Sequence, residues 1–262
     1  MIPRSSSRPT ASSRSARSWN LTRARGAPAE RPTLGGGFDL AAPLSCARRR
    51  EIDVPGRIVT VAQRKGGSGK TTLAANLAVA WSMAGRSVAA IDIDPQRSLT
   101  LWNEIRAEQG LANVLAVGSV PGYRVRNEAD ALAKRYDIVL IDSPPHDETE
   151  ARIAIRAGRI VVVPVQPSPM DVWATKQTLE LAAAEGTAAL LVMNRVPPRA
   201  KLTETMHARI AELGAPIAAT RIGNRVVLAS ALAEGRAAAE TEPRGAAARE
   251  IAALAEEILS RL

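Results

Sequence analysis

The stretch Gln63-Arg64-Lys65-Gly66-Gly67-Ser68-Gly69-Lys70-Thr71-Thr72 lies between a short apolar run, Ile58 to Ala62, and a long Ala- and Leu-rich stretch with helical spacing. Strand, glycine loop and helix in that order form the context in which such a loop binds phosphate. Glycines let the backbone turn its N–H groups inward around an anion with no Cβ in the way. The helix that opens near Gly69 aims its positive end at the same point. Lys70 is then the cation for the β- and γ-phosphates, the Thr71 hydroxyl a ligand for Mg²⁺, and Thr72 a contact for the α-phosphate. The generic spacing G-x-x-x-x-G-K-[ST] is not strictly met, because Arg64 stands where its first glycine belongs. A narrower pattern is met, Lys65-Gly66-Gly67-Ser68-Gly69-Lys70-Thr71-Thr72, with a lysine at each end. A plain Gly-rich turn would require neither the two lysines nor the threonine pair.

Downstream of Arg57 the pattern alternates strand and helix. Strands are expected over Ile58–Ala62, Val88–Ile93, Val114–Val117, Ile138–Ile141, Ile160–Val165, Ala188–Met193 and Pro216–Ile222. Helices are expected over Thr71–Ala84, Ser98–Glu108, Glu128–Arg135, Glu150–Ala157, Pro169–Ala184, Leu202–Leu213 and Ala246–Leu262. Ser168, Pro169 and Asp171 form an acidic capping box for the helix they open. In the last helix Ile251, Leu254, Ile258 and Leu262 fall on one stripe. Repeated β-α units with near-continuous apolar strands imply an α/β fold in three layers, a mostly parallel sheet with helices on both faces. Ligands of such sheets bind beyond the carboxyl ends of the strands. The glycine loop, Asp94, Asp142 and Asn194 all fall at those ends.

Asp142 closes an apolar strand, as the acid that organises Mg²⁺ through water does in a nucleotide hydrolase. An Asp in that position is otherwise a common turn former. Asp92 and Asp94 raise the same question: one carboxylate would orient the attacking water, the other would fix the loop. His146 and His207 lie far apart and make no metal-spaced cluster, and the single cysteine, Cys46, excludes a disulfide framework or cysteine-ligated cluster within one chain. No apolar run is long enough to cross a bilayer.

The net charge of +9 is unevenly placed, since residues 1–55 carry 10 Arg against 4 Asp/Glu. That segment is Ser-, Arg-, Pro- and Gly-rich without period, and is expected to be a disordered basic tail ahead of a domain spanning 56–262. It lacks the apolar core of a secretory signal. A transit-type segment, an arm on nucleic acid, and a start codon downstream of it are its three readings. The last is the plainest, because a nucleotide fold can begin at Arg57.

From Arg57 to Leu262 the chain resembles the ParA/MinD group of deviant-Walker ATPases. The resemblance rests on the loop Lys65–Thr72, on Asp92-Ile93-Asp94-Pro95-Gln96, on Tyr136 to Pro145 with its Asp142-Ser143-Pro144-Pro145 ending, and on Val163-Pro164-Val165-Gln166-Pro167. It implies ATP and Mg²⁺ as cofactors, with Gly66, Gly67, Ser68, Gly69, Lys70, Thr71 and Thr72 as the cradle. It implies that Lys65 is the signature lysine, reaching the nucleotide of the other subunit in an ATP sandwich dimer. It further implies that Lys70 is the ordinary loop lysine, Asp94 the residue that activates water, Asp142 the second Walker acid, with Thr71 and both acids grouped around the metal, and Asn194 a reader of the adenine edge.

Within that group, membrane-binding members end in a basic amphipathic helix. Here Glu250, Glu256 and Glu257 oppose Arg249 and Arg261, so no membrane insertion is expected. Cluster-binding relatives need cysteines the chain lacks. The short ParA branch remains, in which slow, partner-stimulated hydrolysis cycles a protein that binds DNA without sequence preference and partitions or positions cargo. The implied partners are a second copy, non-specific DNA and a ParB-like or cargo-adaptor activator, in a cytoplasmic, nucleoid-associated setting. Arg195, Arg199, Lys201, Arg221 and Arg225 are the candidate phosphate contacts. Arg97-Ser98 stand where many relatives carry Gly-Asn. A metabolic amide-forming or phosphoryl-transfer enzyme on the same fold is the alternative.

Overall fold

The computed structural model describes residues 55–111, 115–145, 147–198 and 201–262. Six strands form one parallel sheet: β1 Arg57–Val61, β2 Val88–Asp92, β3 Leu115–Ser119, β4 Ile138–Asp142, β5 Ile160–Val165 and β6 Ala188–Met193. Their order is β3-β2-β4-β1-β5-β6. The helices are α1 Lys70–Met83, α2 Ser98–Glu108, α3 Gly122–Ala133, α4 Glu148–Ala157, α5 Pro169–Ala184, α6 Lys201–Ala211, α7 Val226–Ala233, α8 Ala238–Thr241 and α9 Ala246–Leu259. The expected three-layer α/β architecture is present.

Alternation along the strands explains the layers. Val59, Val61, Val88, Ala90, Ile138, Leu140, Val162 and Leu190 face one way, onto α1 and α9. Ile58, Ala89, Ile91, Val139 and Ile141 face the other, onto α3 and α4. Val161, Val163, Leu191 and Met193 continue that second layer onto α5 and α6. Each fully buried Leu or Ile contributes roughly 1.5–3 kcal/mol. With few aromatics, Trp81 is the largest core side chain, and its Nε1 donates to Ala255 O at 3.1 Å, tying α1 to α9. Ile251, Leu254 and Ile258 are buried in this layer, so the apolar stripe of α9 is spent on the core. Among the described residues no helix is long and apolar enough to cross a membrane.

Three differences from the sequence reading stand out. The helix expected from Glu128 begins at Gly122, because nothing in Tyr123–Asn127 breaks it. Pro216–Ile222 is not a strand. It runs beside β6 with only isolated bridges, Leu191 to Ile217 and Val196 to Gly223. Ala218 N and Ile222 N still reach Leu191 O and Met193 O of β6, but side chains of α9 take others: Glu257 accepts Ala219 N and Thr220 N, and Glu250 accepts Gly223 N just beyond the segment. The short helices α7 and α8, absent from the expectation, fill the interval before α9. The tail, except Pro55, lies outside the described residues, as do Cys46, His146 and Arg199.

Candidate functional site

β1 ends at Val61 in the middle of the sheet, and α1 starts at Lys70, so the glycine loop arches over the carboxyl edge between β4 and β5. Gly67 at φ 75° and Gly69 at φ 89° occupy the left-handed region that other residues resist. A Cβ on Gly69 would also lie 2.7 Å from Asn194 Nδ2.

Parallel register sets the acids. Asp92 of β2 pairs with Asp142 of β4, and Asp142 with Val61 of β1, which brings both carboxylates beside the loop. Asp92 is fully buried and spent: one oxygen accepts Asp94 N at 3.0 Å, the other Thr100 N at 2.9 Å and Thr100 Oγ1 at 3.1 Å. Burial pushes its carboxyl up, opposed by those hydrogen bonds. It fastens the β2–α2 loop to the first turn of α2. Asp94 is held by an Asx turn, accepting Gln96 N at 2.9 Å. The loop ends at Arg97, a non-glycine residue at φ 53°.

Asp142 is different. It is fully buried, and neither carboxylate oxygen has a hydrogen-bond partner of good geometry among the described residues. Burial pushes its pKa up to about 7; the nearby Thr71 hydroxyl lowers it, Asp92 raises it, Lys70 lowers it and Asp94 raises it. The Ser68 hydroxyl is likewise buried without a partner. Orphaned acceptors under a glycine cradle cost free energy in isolation. A divalent cation with its water shell answers the acid, and a phosphate oxygen answers the Ser68 hydroxyl, so the residues fit a Mg²⁺-nucleotide. Lys70 is buried too, its Nζ donating to Gln63 O at 2.9 Å. Burial lowers its pKa, and Asp142 and Asp94 oppose the change.

The other predicted residues divide. Asn194 reaches the loop, its Nδ2 donating to Ser68 O at 2.8 Å. Lys65 does not face the cradle: its Nζ bonds Asp171 Oδ2 in the first turn of α5. Arg195 is exposed, sits at φ 52° and lies near Gly69. Arg221 is paired with Glu204 at 2.8 Å and Arg225 with Glu250 at 2.5 Å. Lys201 opens α6.

Sequence reasoning missed the residues that suspend the loop. Gln63 is buried, with Nε2 donating to Thr175 Oγ1 at 3.0 Å and Oε1 accepting from Thr178 Oγ1 at 3.0 Å. Gln166 Nε2 donates to Gly67 O at 2.8 Å. Ser168 Oγ accepts Asp171 N at 3.2 Å, the cap expected from the sequence. A signal was available: Asp171, Thr175 and Thr178 are polar at i, i+4 and i+7, the stripe a helix turns toward its sheet.

The CobQ/CobB/MinD/ParA nucleotide binding domain model matches residues 59–238. The maintenance of carboxysome distribution protein A of Halothiobacillus neapolitanus is 32% identical over 209 residues, 77% of this chain and 95% of that protein. The chromosome-partitioning ATPase Soj of Thermus thermophilus is 29% identical over 252 residues, 79% of this chain and 96% of Soj. Among solved structures, the cell division ATPase MinD of Pyrococcus furiosus superposes with a TM-score of 0.68 at 24% identity, over 79% of this chain and 100% of that one. With a match that spans residues 59–238 and takes in both the loop and the orphaned acid, the chain belongs to the CobQ/CobB/MinD/ParA nucleotide-binding family.

Proposed function

We propose that the chain is an ATP- and Mg²⁺-dependent ATPase that dimerises with ATP, binds DNA without sequence preference in that state, and partitions or positions cargo. Hydrolysis is slow until a ParB-like or cargo-adaptor partner stimulates it, and the protein works in the cytoplasm on the nucleoid. The observation that carries this reading is Lys65. Its carbonyl accepts from Lys70 Nζ at 3.5 Å, but its ammonium is held to one side by Asp171, which suits a side chain destined for the nucleotide of another subunit. The kinship with carboxysome-distribution and chromosome-partitioning proteins supports positioning as the task. It disfavours the amide-forming alternative.

Bound ATP supplies the γ-phosphoryl group, and Mg²⁺ the charge that neutralises it. The N–H groups of Gly66 to Gly69 bind phosphate oxygens, and Lys70 places its charge on the β- and γ-phosphates. Thr71 would hold the metal through its hydroxyl. Asp142 and Asp94 would hold it through water, and Asp94 would orient the attacking water. Thr72 contacts the α-phosphate. Asn194 keeps its carbonyl for the adenine edge while its amide braces Ser68.

DNA binding measured with ATP, with ADP, and in Asp94→Ala with ATP tests the reading. Tight binding with ATP that persists in Asp94→Ala is expected. Equal affinity in ADP overturns the switch. Lys70→Ala abolishes nucleotide binding, and Lys65→Ala retains nucleotide yet fails to dimerise.

A further inference from the structure

Past β1 the chain makes one more sheet bond, from Ala62 N to Val162 O at 3.1 Å. Beyond it the mouth of the glycine loop, Gln63 to Lys65, is held by one face of α5. Asp171, Thr175 and Thr178 are buried on that face, at positions i, i+4 and i+7. Each meets part of the mouth. Asp171 takes the Lys65 ammonium, and Thr175 takes the Gln63 amide nitrogen. Thr178 Oγ1 donates to the Gln63 amide oxygen and accepts Arg64 N at 3.3 Å.

Gln63 is 1% exposed, and a buried amide is costly unless its donors and acceptor are answered. Nε2 donates to Thr175 Oγ1 at 3.0 Å and to Pro164 O at 3.3 Å, while Oε1 accepts Thr178 Oγ1 at 3.0 Å. A carbonyl such as Pro164 O accepts and cannot donate, which fixes the end of the amide that faces it. Thr175 gives its own proton to Asp171 O at 2.7 Å, so toward Gln63 it acts as an acceptor. The side chain therefore has one orientation. A leucine would fill similar space without these partners; what the amide adds is direction.

That direction reaches the main chain. Gln63 O accepts Lys70 Nζ at 2.9 Å, and Lys65 O accepts it at 3.5 Å. A lysine ammonium sits on a flexible four-carbon stem. Here it is buried and rests on the carbonyl of the residue that α5 clamps. We propose that Gln63 is a positioning residue for Lys70, a role that rests on Lys70 being the phosphate cation: held by Thr175 and Thr178, Gln63 fixes the carbonyl that aims the ammonium at the phosphates. α5 thereby sets where the cation of the cradle stands. A loosened lysine keeps its charge but loses part of the interaction to the ordering of its stem. The loss then falls on nucleotide affinity and not on the fold alone.

The test compares Thr175→Val/Thr178→Val, which keeps the shape and removes both hydroxyls, with Thr175→Ser/Thr178→Ser, which keeps the hydroxyls. Gln63→Met removes the same bonds from the other side and serves where the valine pair is unstable. Calorimetric titration of the full chain with Mg²⁺-ADP gives the affinity. A ¹⁵N spectrum of the lysine ammonium groups, with Lys70→Ala identifying the Lys70 signal, reports whether that group is held. The valine pair and Gln63→Met are expected to bind ADP about ten-fold more weakly and to lose the Lys70 signal, while the serine pair stays within about two-fold and keeps it. Wild-type ADP affinity in the valine pair and Gln63→Met overturns the assignment, whatever their stability in urea. So does an equal loss in the serine pair, and so does weaker binding beside an unchanged Lys70 signal, which would mean a loop merely loosened. Wild-type ADP affinity in Lys70→Ala overturns the reading of Lys70 itself, and the role of Gln63 with it.

Discussion

Lys65 and Asp171, 106 residues apart, form an ion pair within one subunit, with the carboxylate fully buried and the lysine a third exposed. Asp171 accepts Ser168 Oγ on the same oxygen. The pair joins the mouth of the phosphate loop to the start of α5, and a lysine bound there must be released before it can reach a second subunit. In the proposed dimer this contact competes with the trans role of Lys65.

Asp171→Asn removes that competitor without leaving a buried charge. Lys65 becomes free, and the ATP dimer is expected to form at a protein concentration several-fold lower, a change on the order of 1 kcal/mol. Light scattering with ATP in an Asp94→Ala background reads the dimer fraction. Unchanged or weaker dimerisation with normal nucleotide binding would count against the competing contact.

Much of this arrangement was legible in the sequence, and what was not has a physical reason. The loop, the acids and the strand order of events along the chain follow from local signals: glycines where φ is positive, apolar runs ending in Asp, a Ser-Pro-x-Asp cap. Asp171 was read as a cap because capping is local; its partner lies on another element, and no periodicity reports that. Pro216–Ile222 was read as a strand because its apolar content is that of one. The Glu257 carboxylate that claims two of its amides comes from α9. Asp92 and Asp94 look equivalent in sequence. Both are buried, and three donors on Asp92 against the single Gln96 amide on Asp94 distinguish the fastener.

Asp142 makes stability depend on pH. Its carboxyl is pushed up to about 7 from its ordinary 3.8, so between these the folded state binds the proton that the unfolded state has released. Stability accordingly falls as pH rises from about 4 to about 7 and levels off above. Asp142→Asn imitates the protonated form. It is expected to raise stability by a few kcal/mol at pH 8 and hardly at all at pH 4, while hydrolysis is lost. Urea melts of both proteins without nucleotide across that range check it. A constant difference at all pH values would show that ionisation is not the cause.

Arg97 carries strain at the end of the Asp94 loop. It adopts φ 53° at the N-cap of α2, and its guanidinium makes only an exposed contact with Glu104 at 3.4 Å. A non-glycine residue held in that region costs about 1–3 kcal/mol, and glycine gives back part of that through a more flexible unfolded chain. Arg97→Gly should therefore be more stable by about 1 kcal/mol in chemical denaturation, with nucleotide affinity retained. A loss of stability would mean that the Arg97 side chain contributes more than its visible contact.

α2, which follows the Asp94 loop, is anchored by a buried ion pair. Arg106 is 4% and Glu240 19% exposed at the side chain, and the two are joined bidentately at 2.7 and 2.9 Å. Arg106 also donates to Gly235 O at 2.8 Å and stacks on Trp102 at 5.0 Å. Burial alone would raise the Glu240 carboxyl, but the Arg106 guanidinium and the Ala237 N–H outweigh it and hold the pKa below its ordinary 4.5. A depressed folded pKa contributes stability that is present above 4.5 and is lost as pH falls through the folded value. Glu240→Met strands a buried guanidinium and is expected to cost about 3–5 kcal/mol at neutral pH, whereas Arg106→Met/Glu240→Met recovers most of it. Thermal melts of the two single variants and the double variant decide the point. Additive losses in the double variant would mean that the two side chains act through separate contacts, and α2 would then be held chiefly by Trp102 and the Asp92–Thr100 clasp.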